Sequence, residues 1–119
     1  MFINLSNHPS AKWSEEQLKA ALRYGDVVDL AFPEIQPDQS TAEVHALAET
    51  YISQIVGRGA DVSVVHVMGE MTFTYHVVSR LKTLGVKCVA STTERKPLTV
   101  ELPDGTIIKK FKFVQFREY

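Results

Sequence analysis

Apolar and polar positions change period several times along this chain, and each change marks an element. Val62–Met68 is a nearly unbroken apolar, β-branched run, which predicts a strand buried on both faces. From Thr72 the period lengthens. Phe73, Val77, Leu81 and Leu84 fall on one helical stripe, and Gly85 supplies the stop. Upstream, Phe2–Leu5 predicts a first strand and Asp26–Phe32 a second that Pro33 ends; Val86–Ala90 predicts a fourth. Ser14 with Gln17, and Ser40 with Glu43, are capping-box pairs that open two further helices. Leu18, Ala21 and Leu22 are the expected core face of the first, which ends at Gly25. In the second, Val44, Leu47, Ala48, Tyr51, Ile52, Ile55 and Val56 recur at helical spacing up to Gly57. Leu98–Leu102 and Thr106–Phe116, joined by Pro103-Asp104-Gly105, read as a β-hairpin with an Asp-Gly turn.

Strands alternating with helices predict an α/β fold: a Rossmann-like three-layer sandwich, with parallel sheet order 2-1-3-4 and the C-terminal antiparallel β-hairpin beside strand 4. A chain of 119 residues is expected to form one domain, residues 1–95 as the core and 96–119 as the hairpin. In such an order the connections reverse between strands 1 and 3, and a crevice opens at the carboxyl ends of the strands.

Three segments are expected to meet there: Ser6–Trp13 after strand 1, Gly69–Thr72 after strand 3, and Ser91–Arg95 after strand 4. They are dense in hydroxyls and amides. The start of the third helix offers backbone N–H groups to an anion, and Arg95 a planar fork for a phosphate. Each residue also has a local reading. Ser6, Asn7 and Ser10 are common turn residues, and His8 precedes a proline. Trp13 either stacks on a base or staples the first helix. Glu70 either caps the third helix or meets a ribose hydroxyl; Arg95 either holds a phosphate or pairs with Glu94 or Glu101. Ser91 and Thr92, at a strand end, point their hydroxyls into the crevice.

Composition narrows the field. The formal net charge of −1 argues against a general nucleic-acid coat protein. No apolar run approaches a membrane span, no basic leader opens the chain, and the single Cys88 precludes an internal disulfide, so the cytoplasm is expected. Neither G-x-G-x-x-G nor G-x-x-x-x-G-K-[ST] is present. His45, His66 and His76 show no metal-ligand spacing and read as structural. Lys and Phe alternate along the C-terminal stretch Ile107–Tyr119, a pattern that binds single-stranded nucleic acid in some proteins and more often marks a strand with one wet face. The alternation slips after Phe113, which a bulge or a subunit interface would explain.

An opening strand-Ser-Asn-His-Pro-Ser, Met-Gly-Glu-Met-Thr after the central strand and Ser-Thr-Thr-Glu-Arg after the next resemble the CRISPR-associated Rossmann-fold (CARF) proteins. The likeness is to small stand-alone members, some of them ring nucleases. The resemblance implies a homodimer that binds cyclic oligoadenylate, or another phosphorylated nucleotide, across its two-fold axis. It implies cleavage without metal or cofactor by attack of a ribose 2′-hydroxyl on the adjacent phosphorus, which would switch off type III CRISPR signalling. It would place Ser6, Asn7, Ser10, Trp13, Gly69, Glu70, Met71, Thr72, Ser91, Thr92 and Thr93 around the ligand. His8 would serve as acid/base and Lys12 or Arg95 as charge stabiliser. No membrane and no long nucleic acid are expected as partners. A non-catalytic sequestering module and a structural dimerisation protein are the alternatives.

Overall fold

The computed structural model describes residues 1–94, 98–110 and 112–119. Among the described residues, these α-helices and strands follow one another: β1 (Phe2–Ser6), α1 (Glu15–Leu22), β2 (Val27–Asp29), α2 (Thr41–Val56), β3 (Val64–Met68), α3 (Met71–Thr83), β4 (Cys88–Thr93), β5 (Leu98–Glu101), β6 (Ile107–Lys110) and β7 (Phe113–Glu118). The fold is α/β. Its main sheet is mixed, in the order β2-β1-β3-β4-β7, with the first four strands parallel and β7 antiparallel to β4.

Strand alternation divides the core in two. Ile3, Leu5, Val65, Val67 and Cys88 face α2 and α3, where they pack with Val44, Ile52, Phe73, Val77 and Leu81. Phe2, Val64 and Val89 face α1 and pack on Ala21, Trp13 and Phe116. The capping predictions have local counterparts. The Ser14 side chain accepts from the Gln17 backbone N–H, and Ser40 with Glu43 forms a reciprocal capping box. Among the three residues expected to face the core from α1, only Ala21 is buried; Leu18 and Leu22 are exposed.

Three boundaries depart from the expected pattern. β2 ends at Asp29 and not at Phe32, because Phe32 leaves the sheet to pack edge-on to Phe73 (4.9 Å between centroids) and over Gly69. A Cβ at Gly69 would overlap the Phe32 ring, so this position requires glycine for close packing. β4 begins at Cys88 and runs on through Thr93, so Ser91–Thr93 are strand and not loop. The reason is β7, which pairs along them as Ser91↔Phe116, Thr92↔Gln115 and Thr93↔Phe113.

The third departure is the hairpin. Among the described residues β5 and β6 pair only with each other, as a separate two-stranded sheet whose turn holds Gly105 at positive φ, and of the three C-terminal strands β7 alone joins β4. β7 has the apolar surface to bury: Phe113 is buried and Phe116 packs on Phe2 at 5.0 Å. The slip in the Lys–Phe alternation is a bulge, with Val114 as the extra, exposed residue between the partners of Thr93 and Thr92. Among the described residues, no helix is long and apolar enough to cross a membrane.

Candidate functional site

The ends of β1 and β3 lie side by side, since the Asn7 N–H donates to the Met68 carbonyl at 3.3 Å. β4 pairs with β3 only as far as Val89. Beyond that point the two strands separate, and the Ser91 N–H turns to the Met68 sulfur at 3.2 Å. Two clefts open at this edge, one on each face of the sheet.

The cleft on the α1 face, about 460 Å³, is lined by His8, Lys12, Trp13, Ser14, Gln17, His66, Met68, Ser91, Thr93 and Phe113. Five of these, His8, Lys12, Trp13, Ser91 and Thr93, belong to the expected site. Alternation explains their company: residues 64, 66 and 68 of β3 and 89, 91 and 93 of β4 share the face that α1 covers. Lys12 forms no ion pair among the described residues. Trp13 donates its indole N–H to the His8 carbonyl at 3.1 Å and stands edge-on to His66 and Phe2, which makes it a wall of the cleft.

Beneath the cleft lies a polar network that reading the sequence did not anticipate. His66 is only 2 % exposed, and Asn4 and Ser6 are buried beside it. His66 Nδ1 is 2.9 Å from Asn4 Oδ1 and its Nε2 is 3.3 Å from Ser91 Oγ. Asn4 Nδ2 donates to Asp29 Oδ1 at 2.9 Å and to the His8 carbonyl at 3.0 Å; Ser6 Oγ donates to Asn4 Oδ1 at 2.7 Å. Ser10 closes the far end, its hydroxyl on Asp29 Oδ2 at 2.8 Å. Ser6 and Ser10 thus build the network and do not line the cleft.

Two pKa shifts follow. Burial, with the charge of nearby His8 adding to it, lowers His66 to about 4 and keeps it neutral at neutral pH. Partial burial pushes the Asp29 carboxyl up, but hydrogen bonds from Asn4 and Ser10 outweigh that and hold it below its usual range. The visible signal for this network was a polar residue at every second position of otherwise apolar strands, at 4 and 6 in β1 and at 66 in β3.

The other cleft, about 670 Å³, lies between the starts of α2 and α3 and is lined by Glu70, Met71 and Thr72 together with Ile35, Pro37, Val44, His45 and Tyr75. Here the expectation of free N–H groups for an anion is corrected. The Glu70 carboxylate accepts from the Thr72 and Phe73 backbone N–H groups and from the Thr72 hydroxyl, so the third helix caps itself. Those bonds, the one from the Phe73 N–H foremost, hold the Glu70 carboxyl below its usual range. Met71 and Tyr75 stand 82 % and 77 % exposed on the next turn.

The remaining candidates sit elsewhere. Thr92 points to the α2–α3 face, where its hydroxyl donates to the Gln115 carbonyl and accepts from the Gln115 N–H. Asn7 is exposed on the rim. Gly69 is occupied in packing against Phe32. Arg95 lies outside the described residues. A carboxylate accompanies one of the histidines that read as structural. His76 Nε2 lies 2.9 Å from Glu49 Oε1, an oxygen shared with Arg80 at 3.0 Å, and His45 stacks on His76 at 4.1 Å. Cys88 is buried, which raises its thiol to about 11. No group of three or more His, Cys, Asp or Glu side chains suited to a metal occurs among the described residues.

A protein-family model matches residues 1–117 of the chain. The chain belongs to the uncharacterized protein MJ1673 family. No curated protein and no solved structure matches it.

Proposed function

We propose that this chain is a Rossmann-like module of the CARF type that binds a cyclic oligoadenylate, cyclic tetra-adenylate first among them, in the α1-side cleft. A second copy completes the cradle across a two-fold axis. A ribose 2′-hydroxyl attacks the adjacent phosphorus, the ring opens, and a cyclic 2′,3′-phosphate end is left. Such a cytoplasmic enzyme would switch off type III CRISPR signalling. One observation carries the reading: His8, Lys12, Ser91 and Thr93, drawn from separate segments, converge on one cleft at the carboxyl edge of the parallel strands.

The chemistry asks for in-line positioning and for positive charge beside the phosphorane. Lys12 supplies the charge and His8 a proton for the departing 5′-oxygen. Losing one such electrostatic donor costs on the order of 10²–10³ in rate, the loss expected of Lys12→Ala. The test is incubation of the protein with cyclic tetra-adenylate, with products resolved by chromatography. Linear products ending in a cyclic phosphate support the proposal. Tight binding without products moves the assignment to a sequestering module, and absence of binding overturns it.

A further inference from the structure

We propose that Ser91 and His66, oriented by Asn4 and Asp29, form a one-way proton relay, and that the Ser91 hydroxyl takes the proton of the attacking ribose 2′-hydroxyl. The inference rests on the ring-opening reading and names the base which that reading lacks.

Direction follows from obligations along the chain of hydrogen bonds. The Asp29 carboxylate and the His8 carbonyl are acceptors only, so the amide nitrogen of Asn4 must face them, at 2.9 and 3.0 Å. Asn4 Oδ1 therefore faces His66 Nδ1, and His66 must donate to it at 2.9 Å. Neutral imidazole carries one N–H. With Nδ1 protonated, Nε2 keeps its lone pair and faces Ser91 Oγ at 3.3 Å. The Ser91 hydroxyl has a second acceptor, the Met68 sulfur at 3.0 Å, but a thioether is the weaker partner. Ser91 thus gives its proton inward and presents lone pairs to the cleft that it lines. A lone pair there recognises a ligand donor, and the 2′-hydroxyl is the donor whose proton the reaction must remove.

The step balances. The 2′-oxygen bonds to phosphorus as its proton passes to Ser91 Oγ, and the Ser91 proton passes to His66 Nε2. The bond from phosphorus to the 5′-oxygen breaks, and that oxygen takes a proton from His8. One imidazole gains a proton as the other loses one, so the charge in the cleft is unchanged. Ser91 is the catalytic residue; His66, Asn4 and Asp29 are positioning residues that act through it.

Three readouts test the relay. In ¹⁵N NMR of the free protein, His66 is expected as the Nδ1–H tautomer, and Asp29→Asn, which releases the Asn4 amide, is expected to mix the tautomers. Calorimetry with cyclic tetra-adenylate is expected to show that Ser91→Ala still binds, weaker than wild type by no more than about tenfold, the loss of one hydrogen bond. Single-turnover cleavage by that variant is expected to fall by about 10²–10⁴, the range of general acid–base catalysis, with Ser91→Thr restoring most of the rate. An Nε2–H tautomer, or wild-type cleavage by Ser91→Ala, overturns the relay and leaves the ring-opening reading standing. A wild-type protein that neither binds nor cleaves cyclic tetra-adenylate overturns both.

Discussion

The two clefts at the carboxyl edge lie on opposite faces of one sheet, the first walled by strand residues and the second by the starts of two helices, and they differ in what they leave free. On the α2–α3 side the polar groups are consumed locally. Glu70 holds the N–H groups of its own helix, Thr92 holds β7, and exposed Met71 and Tyr75 offer mainly apolar surface. On the α1 side the groups that consume one another are buried, and those at the cleft surface, Lys12, His8, Ser91 and Thr93, retain capacity for a guest. Alternation along β4 separates Ser91 and Thr93 from Thr92, since a step of one residue moves a side chain to the other face. Polar density at a sheet edge is therefore a poor guide to a site until the face of each residue is known.

The comparison breaks most readily at His66. Its folded pKa lies near 4, below the ordinary 6.5, so the unfolded chain binds the extra proton first as pH falls. The stability this contributes is present above pH 6.5 and is lost between there and pH 4, about 3 kcal/mol in all. Chemical denaturation at intervals across that window is expected to show the loss in wild type and a flatter profile in His66→Gln. Equal slopes would mean that the network beneath the α1-side cleft is not the dry, neutral one described. Asp29 and Glu70, whose carboxyls are lowered, add their own losses only at the acid end of the range.

A smaller effect sharpens the other side. Gly69→Ala would force the Phe32 ring away from β3, and overpacking of this kind costs about 1–3 kcal/mol. A lowered thermal midpoint with unchanged affinity for cyclic tetra-adenylate is the expected result. Loss of affinity without loss of stability would return Gly69 to the ligand.

Much of the architecture was legible because it rests on local rules. The helical stripe through Val44, Ala48, Ile52 and Ile55 is buried as its spacing requires, and Ser40 with Glu43 makes the reciprocal cap. The errors came where distant partners decide. Nothing near Phe32 in sequence announces Gly69 and Phe73, which draw it off β2. Ser91–Thr93 became strand because β7 returned to pair with them, and β5 and β6 were left to each other. At the site, the loop residues His8 and Lys12 were conspicuous by type. Asn4 and His66 were hidden inside apolar runs, where they looked like incidental members of a core. Their shared face becomes apparent only when β1 and β3 are set in register, Asn4 opposite His66.

The most direct test of the account is a titration of the ¹⁵N-labelled protein with cyclic tetra-adenylate, followed by the backbone amide spectrum. Amides of His8, Lys12, Ser91 and Thr93 are expected to shift at the lowest ligand ratios, while those of Met71, Thr72 and Tyr75 stay in place. Shifts centred on Met71, Thr72 and Tyr75, or a spectrum that does not move, would contradict the assignment of the site to the α1 face.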